Sequence, residues 1–283
     1  MNQPAGRVQD GIAVLTADLS EGDIDQPARE ARMIMAHVIG IDASRMSLHV
    51  QDALSADALG LARSLGSRRL GGEPLSHIRG YRDFWGRRFQ VDRRVLDPRP
   101  ETECLVAEAL REPFSQVLDL GTGSGCILIT LLAERASAVG LGVDASAGAL
   151  EVARANAGTH GVDGRCALEE SDWFGKVDGR YDLIVSNPPY IALEEMEDLA
   201  PGVTGYEPRM ALTDEGDGLG AYRRIAAGAP QHLAQGGRLL VEIGPTQGRA
   251  VAALFTAAGL EDVRLHPDFD GRDRVVSGRA NPG

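Results

Sequence analysis

The chain has 283 residues, of which 43% are hydrophobic and 25% charged, with a formal net charge of −12; this suits one large domain, or a medium domain beside a small one. No apolar run is long enough to span a bilayer, the first ten residues carry no basic or apolar targeting region, and Cys104, Cys126 and Cys166 are too widely spaced for a disulfide framework or a zinc site. The negative balance disfavours a general nucleic-acid binder, so the expectation is a monomer of the reducing cytoplasm with no membrane, metal or nucleic-acid partner.

The first part reads as short helices. Val8, Ile12, Leu15 and Leu19 recur at helical spacing. Asp25 is the expected cap of a second helix with Pro27 in its first turn, an apolar face of Ala31, Ile34, Met35 and Val38, and Gly40 as its stop. Ser55 caps a third, with Ala58, Ala62 and Leu65 inward and Gly71-Gly72 at its end. A helical bundle over 1–75 follows. His77–Tyr81 and Arg88–Val91 read as two short strands with a turn within Asp83–Arg87, a β-hairpin linker over 76–97. Pro98 and Pro100 mark the entry to a domain over 98–283. There strands and helices alternate: strand 117–120, helix 126–135, strand 138–143, helix 147–158, strand 181–186, helix 219–233 and strand 237–243. Such alternation implies an α/β fold with a mostly parallel sheet covered by helices on both faces.

Three motifs carry chemistry. Asp119-Leu120-Gly121-Thr122-Gly123-Ser124-Gly125 follows a strand and opens a helix. Three alternate glycines let a ligand approach the backbone, and the turn is expected to aim its N–H groups at that ligand. Asp144, at the end of the next strand, can accept hydrogen bonds from both hydroxyls of a ribose, or it can cap the helix that follows. Trp173 is placed to line an adenine pocket, or to plug the core. Asn187-Pro188-Pro189-Tyr190 directly follows the strand 181–186. The prolines stiffen the backbone and leave the Pro188 carbonyl as an acceptor, the Asn187 side chain adds a second, and Tyr190 offers an aromatic face. Two converging acceptors suit a planar NH₂ group.

The whole set resembles the PrmC/HemK-type protein-(glutamine N5) methyltransferases. The resemblance rests on Pro98-Arg99-Pro100-Glu101-Thr102-Glu103, Asp119–Gly125, Ser171–Phe174, Ser186–Ile191, Tyr206–Arg209 and Gly271–Val276. It implies a seven-stranded Rossmann-like methyltransferase core behind a small N-terminal helical domain that docks class I peptide chain release factors. The implied reaction moves a methyl group from S-adenosylmethionine, leaving S-adenosylhomocysteine, to the side-chain amide of the glutamine in the factor's Gly-Gly-Gln motif. Carried over, Gly121, Thr122, Gly123, Ser124, Gly125, Asp144, Trp173 and Asn187 hold the cofactor. Asn187, Pro188, Pro189 and Tyr190 bind the substrate, with Asn187, Pro188 and Tyr190 catalytic. Asp97 departs from the pattern, since similar sequences have an apolar residue there.

Two other readings compete. A nucleic-acid amino methyltransferase acting on adenine N6 or guanine N2 draws support from the stretch Arg63–Arg99, where ten arginines against four acids give a local charge of +6 and leave −18 elsewhere. The same stretch could instead meet an acidic protein partner or ribosomal RNA near a release factor, or form a solvated face. A cofactor-binding scaffold without activity is disfavoured by the completeness of the glycine turn, Asp144 and the tetrapeptide.

Overall fold

The computed structural model describes residues 4–199, 201–268, 270–281 and 283. Contacts divide the chain into two units, Met1–Gly80 with Ala200–Tyr206, and Tyr81–Leu199 with Glu207–Gly283. The stretch expected as a linker is therefore shared between them.

In the smaller unit, β1 (Pro4–Arg7) and β2 (Ala53–Ser55) pair antiparallel around α1 (Val8–Glu21), α2 (Pro27–Ile39), α3 (Met46–His49), α4 (Ala56–Leu70) and α5 (Leu75–Arg79). Leu15, Leu19, Ile34, Met35, Ala62 and Leu65 form one apolar cluster. Ser55 caps α4 by accepting the Ala58 N–H at 3.1 Å, and Gly40 ends α2 in the left-handed region. Two local expectations are corrected. The residue before α2 is Gln26, which makes no side-chain cap, so Asp25 does not cap the helix; Pro27 sets its first turn instead. Residues 77–79 are helical, closed by Gly80 at φ 75°, so the hairpin starts at Tyr81. A five-residue apolar and basic run is too short for periodicity to separate helix from strand.

In the larger unit, β3 (Tyr81–Phe84) and β4 (Arg87–Gln90) form that hairpin. Its turn is only Trp85-Gly86, both at positive φ (50° and 68°), the two-residue geometry that matches strand twist. The Glu103 carboxylate accepts the Trp85 N–H at 2.7 Å and anchors the turn. Next come α6 (Glu103–Ala109), β5 (Gln116–Leu120), α7 (Cys126–Glu134), β6 (Val139–Asp144), α8 (Ala147–Thr159), β7 (Cys166–Glu170) and β8 (Tyr181–Ser186). The chain then gives α9 (Pro201–Thr204) to the smaller unit, where Gly202 lies so close to Gly72 that a Cβ would sit 2.6 Å from the Gly72 carbonyl oxygen. It returns as α10 (Gly220–His232), β9 (Leu233–Glu242), α11 (Gly248–Ala257), β10 (Glu261–Pro267) and β11 (Asp273–Arg279).

The seven-stranded sheet has the order β10-β11-β9-β8-β5-β6-β7. Pairs among β5 to β9 are parallel, and β11 joins β9 and β10 antiparallel. Apolar runs in β5 and β8 bury both faces. Val117, Leu183, Val185 and Leu240 pack with Leu105 of α6 and Leu128 and Leu131 of α7. Leu118, Leu120, Ile184 and Leu239 pack with Tyr222 and Ile225 of α10 and Phe255 of α11.

One polar side chain ties three elements together. Asn156 of α8 is 1% exposed. Its Nδ2 donates to the Gln90 carbonyl at 3.0 Å and the Ser124 carbonyl at 2.8 Å, and its Oδ1 accepts the Gln90 N–H at 2.7 Å. The hairpin and the glycine turn are thus fastened to one helix. Asn156→Ala strands these buried backbone groups and should lower unfolding free energy by about 2–4 kcal/mol; a urea-unfolding loss under about 1 kcal/mol would contradict the assignment.

Candidate active site

The glycine turn runs from the end of β5 into α7. Gly121, Gly123 and Gly125 all have positive φ (71°, 56° and 79°), a backbone conformation that disfavours any side chain. A Cβ on Gly121 or Gly123 would meet no protein atom within 4 Å, so these two face open space, whereas one on Gly125 would strike Ile129 at 2.7 Å. Gly125 therefore packs α7 and the other two shape the ligand side. The N–H groups do not point outward as expected. Gly121 and Thr122 donate to the Val143 carbonyl at 2.9 and 3.0 Å, Gly125 to the Thr122 carbonyl at 2.8 Å, and Gly123 to Asp144 Oδ2 at 2.9 Å. A turn that spends these donors internally is poorly built for a phosphate and well built for a ligand that lacks one.

Asp144 sits at the tip of β6. Its two oxygens take the Gly123 and Ser146 N–H groups, and burial raises its pKa. Capping of α8 belongs to Ser146, whose hydroxyl accepts the Ala149 N–H, so Asp144 is left on the cleft wall with acceptor capacity to spare. Asp119 beneath the turn is fully buried; its Oδ2 accepts the Thr122 hydroxyl at 2.7 Å, and burial pushes its pKa up to about 7. Trp173 is half-buried at φ 52°, unusual for a bulky residue and consistent with a position fixed by its surroundings. The hydroxyl of Ser171 donates to its carbonyl at 3.0 Å.

Asn187 follows β8, next to β5. Its Nδ2 donates to Thr102 Oγ1 at 3.1 Å. Pro188 is buried and Pro189 partly exposed. Tyr190 is half-buried, with its carbonyl held by Gln247 Nε2 at 2.8 Å. Gln247 also donates to the Gly218 carbonyl at 3.1 Å and accepts the Gly244 N–H at 3.0 Å, so a single amide clamps the tetrapeptide to two loops.

These residues surround a cleft of about 450 Å³. Gly121–Ser124, Asp144, Trp173, Asn187 and Pro189 line it, together with Arg99, Thr102 and Met210. Gly125, Pro188 and Tyr190 stand behind or beside the lining. Thr102, Asn156, Glu242 and Gln247 were not among the expected site residues. Thr102 lies in the Pro-Arg-Pro-Glu-Thr-Glu block and could have been singled out there; Asn156 and Gln247 are lone amides without any pattern around them.

The basic stretch is largely neutralised within the chain. Arg68 pairs with Glu73, Arg69 with Glu30, Arg82 with Asp97, Arg87 with Glu134, Arg88 with Asp83, Arg94 with Asp92 and Arg99 with Glu207. The unusual Asp97 is 4% exposed and has Arg82 at 3.5 Å, which explains how an acid is accommodated there. Glu207 is 6% exposed, with the Arg99 guanidinium 2.7 Å away.

The fold is that of the Rossmann-like methyltransferases. A methyltransferase from Pyrococcus furiosus superposes over 76% of this chain and 97% of its own, with a TM-score of 0.54 at 15% identity. The models "Methyltransferase small domain" and "PrmC N-terminal domain" match residues 99–201 and 12–80. Release factor glutamine methyltransferase of Cereibacter sphaeroides is 54% identical over 96% of this chain and 98% of its own, and that of Caulobacter vibrioides 44% identical over 93% of each. The chain belongs to the release factor glutamine methyltransferase family. Among the described residues no helix is long and apolar enough to cross a membrane, and no group of His, Cys, Asp or Glu could hold a metal ion.

Burial of Asp119 has a pH consequence. The folded state keeps its proton to about pH 7, while the unfolded chain releases it near 4. The stability it contributes is present below the unfolded value and is lost as pH rises toward 7. Asp119→Asn should therefore gain on the wild type by on the order of 3 kcal/mol between pH 4.5 and pH 8 in denaturant titrations; parallel stability curves would rule this out.

Proposed function

We propose that this cleft transfers a methyl group from S-adenosylmethionine to the side-chain amide nitrogen of the glutamine in the Gly-Gly-Gln motif of class I release factors. The observation that carries the reading is Asn187. Its Nδ2 is committed to Thr102, so its Oδ1 is the atom available to an NH₂ group in the cleft, one strand away from the glycine turn.

The residues present suit the cofactor. Gly121 and Gly123 leave room against the backbone, Asp144 can take the ribose hydroxyls, Trp173 can flank the adenine, and the internally satisfied turn asks for no phosphate. When bound, S-adenosylmethionine supplies a methyl group activated by its sulfonium. The chain's own task is orientation, because the lone pair of an amide nitrogen is delocalised and a poor nucleophile. Asn187 Oδ1 and the Pro188 carbonyl accept the two amide hydrogens and turn the lone pair toward the methyl carbon. The bound donor would supply the methyl group to that nitrogen as its bond to sulfur is given up, and one amide proton would leave to water. Both contacts tighten as the nitrogen becomes positive, which favours the transition state over the ground state. Tyr190 braces the planar group and Pro189 walls the pocket. A cytoplasmic monomer is the proposed form, a setting that suits a factor acting on the ribosome. The helical unit is the proposed docking module for the factor.

Methylation of a nucleobase is the weaker reading, because the arginines that favoured it are engaged with carboxylates of the same chain. Incubation with labelled donor, purified release factor and nucleic acid separates the two: label is expected on the glutamine, and label on nucleic acid alone would overturn the proposal. Asn187→Ala should lower kcat by about 10²–10³ with cofactor Kd changed less than about threefold. Equal losses in turnover and cofactor affinity, measured by steady-state kinetics and calorimetry, would remove Asn187 from its orienting role. Asp144→Ala should do the reverse, weakening cofactor binding by at least about tenfold through loss of charged hydrogen bonds; unchanged affinity would exclude the ribose contact.

A further inference from the structure

Two walls of the cleft are tied together by one side chain that stands behind them. Asn187 and Pro189 of the tetrapeptide belong to one wall, and Thr213, Asp214 and Gly220 to another. Gln247, just before α11, reaches the backbone of both. Its Nε2 donates to the Tyr190 carbonyl at 2.8 Å and to the Gly218 carbonyl at 3.1 Å, and its Oε1 accepts the Gly244 N–H at 3.0 Å. A backbone N–H can only donate and a carbonyl can only accept, so these three partners admit one orientation of the amide. Both hydrogens of its NH₂ are spent, one on each wall. Gly218 and Gly244 are buried, so their backbone groups depend on such a partner.

The loop that carries Gly218 is shaped from within. Asp214 Oδ1 accepts the Gly216 and Gly218 N–H groups at 2.9 and 3.0 Å, and Asp214 Oδ2 accepts the Gly220 N–H at 2.5 Å. The chain after the tetrapeptide is laced to the same loop, with the Ile191 N–H donating to the Leu212 carbonyl at 3.0 Å and the Leu193 N–H to the Gly216 carbonyl at 2.8 Å. Gln247 takes the Tyr190 carbonyl itself. The approach at that point is as close as the backbone permits. Gly218 has φ 73°, and a Cβ on it would overlap the Tyr190 carbonyl oxygen and lie 2.9 Å from Gln247 Nε2.

We propose that Gln247 is a positioning residue that fixes the spacing between the tetrapeptide and the 213–220 loop, and through that spacing the aim of Asn187 and Pro188 at the substrate amide. The inference rests on the glutamine-methylation reading, in which a planar NH₂ must meet two acceptors at once. Without the Gln247 donors, two carbonyl oxygens face each other with no hydrogen between them, and the walls move apart. A shift of about 1 Å at reacting groups can cost on the order of 10² in rate. The cofactor side is insulated from this change, because the glycine turn is fastened to Val143 and Asp144 of β6. Loss of the clamp therefore falls on turnover and spares cofactor binding.

The test uses the full chain with S-adenosylmethionine and purified release factor. Gln247→Glu keeps the length of the side chain and an acceptor for the Gly244 N–H but removes both donors. At pH 8 it is expected to lower kcat by at least about tenfold, counted per bound cofactor from calorimetric stoichiometry, with release-factor KM and cofactor Kd within about threefold. Gly218→Ala leaves Gln247 in place but forces the loop off Tyr190, and should reproduce the same pattern. In the wild type the side-chain ¹⁵N–¹H signals of Gln247, assigned by their loss in Gln247→Glu, should exchange with water at least about tenfold more slowly than those of the exposed Gln116. In Gly218→Ala they should approach the Gln116 rate. Full turnover in Gln247→Glu, a fall in kcat matched by an equal loss of cofactor affinity, or wild-type Gln247 signals that exchange as fast as those of Gln116 would each overturn the proposal. If a variant fails to fold, the wild-type exchange rates still decide. Failure of the wild type to methylate glutamine would instead count against the assigned reaction, while the same exchange rates would still test the clamp.

Discussion

The parallel contact between β5 and β8 is the constraint on which the rest depends. Leu120 and Ser186 face each other in register, and the Ser186 hydroxyl donates to the Leu120 carbonyl at 2.7 Å in a fully buried position. The next residues on the two strands are Gly121 and Asn187. The chain reaches this arrangement by building outward from β5 through β6 to β7 and returning to the other side of β5 as β8, so that the strand order reverses between them. Loops leaving such a point diverge and open a crevice. A one-residue slip would exchange the residues packed on the two faces and part the turn from the tetrapeptide, so the apolar packing on both sides of the sheet also holds Gly121 and Asn187 side by side at the strands' carboxyl ends.

Most of that frame was legible in the residues. Strand and helix alternation, the glycine turn, Asp144 at a strand end and the tetrapeptide after Ser186 are all local patterns, and local patterns survive without knowledge of neighbours. What was not legible depends on partners distant in sequence. The antiparallel edge β10–β11 escaped notice because an exposed strand such as Glu261–Pro267 carries too little apolar alternation. The direction of the turn's N–H groups is decided by Val143 and Asp144, one strand over. Asn156, Gln247 and Glu242 are single polar residues in apolar or irregular surroundings, and nothing in their immediate sequence distinguishes a surface group from a buried tie.

Charge is handled differently at the periphery and beneath the site. Outside, seven of the ten arginines of the basic block pair with carboxylates of the same chain, and the exposed ones among these pairs are worth little individually. Beneath the cleft, Asp119 and Glu242 are sunk in apolar packing with one oxygen each unpartnered. Buried carboxyls in this state are a cost in stability, and their location directly under the glycine turn and under Thr102 concentrates that cost where orientation of polar groups matters most.

The segment that joins the smaller unit late in the sequence bears on the order of events during synthesis. Helices α1 to α5 leave the ribosome first, yet the Gly72 carbonyl is not covered by Gly202, nor the Gly71 carbonyl reached by the Tyr206 hydroxyl at 3.3 Å, until more than a hundred further residues have been added. At usual elongation rates that is a wait of roughly ten seconds. Over that interval the nascent helical unit presents an unfinished surface to whatever binds emerging chains, and its completion is tied to the emergence of the Asn187–Tyr190 tetrapeptide just before it.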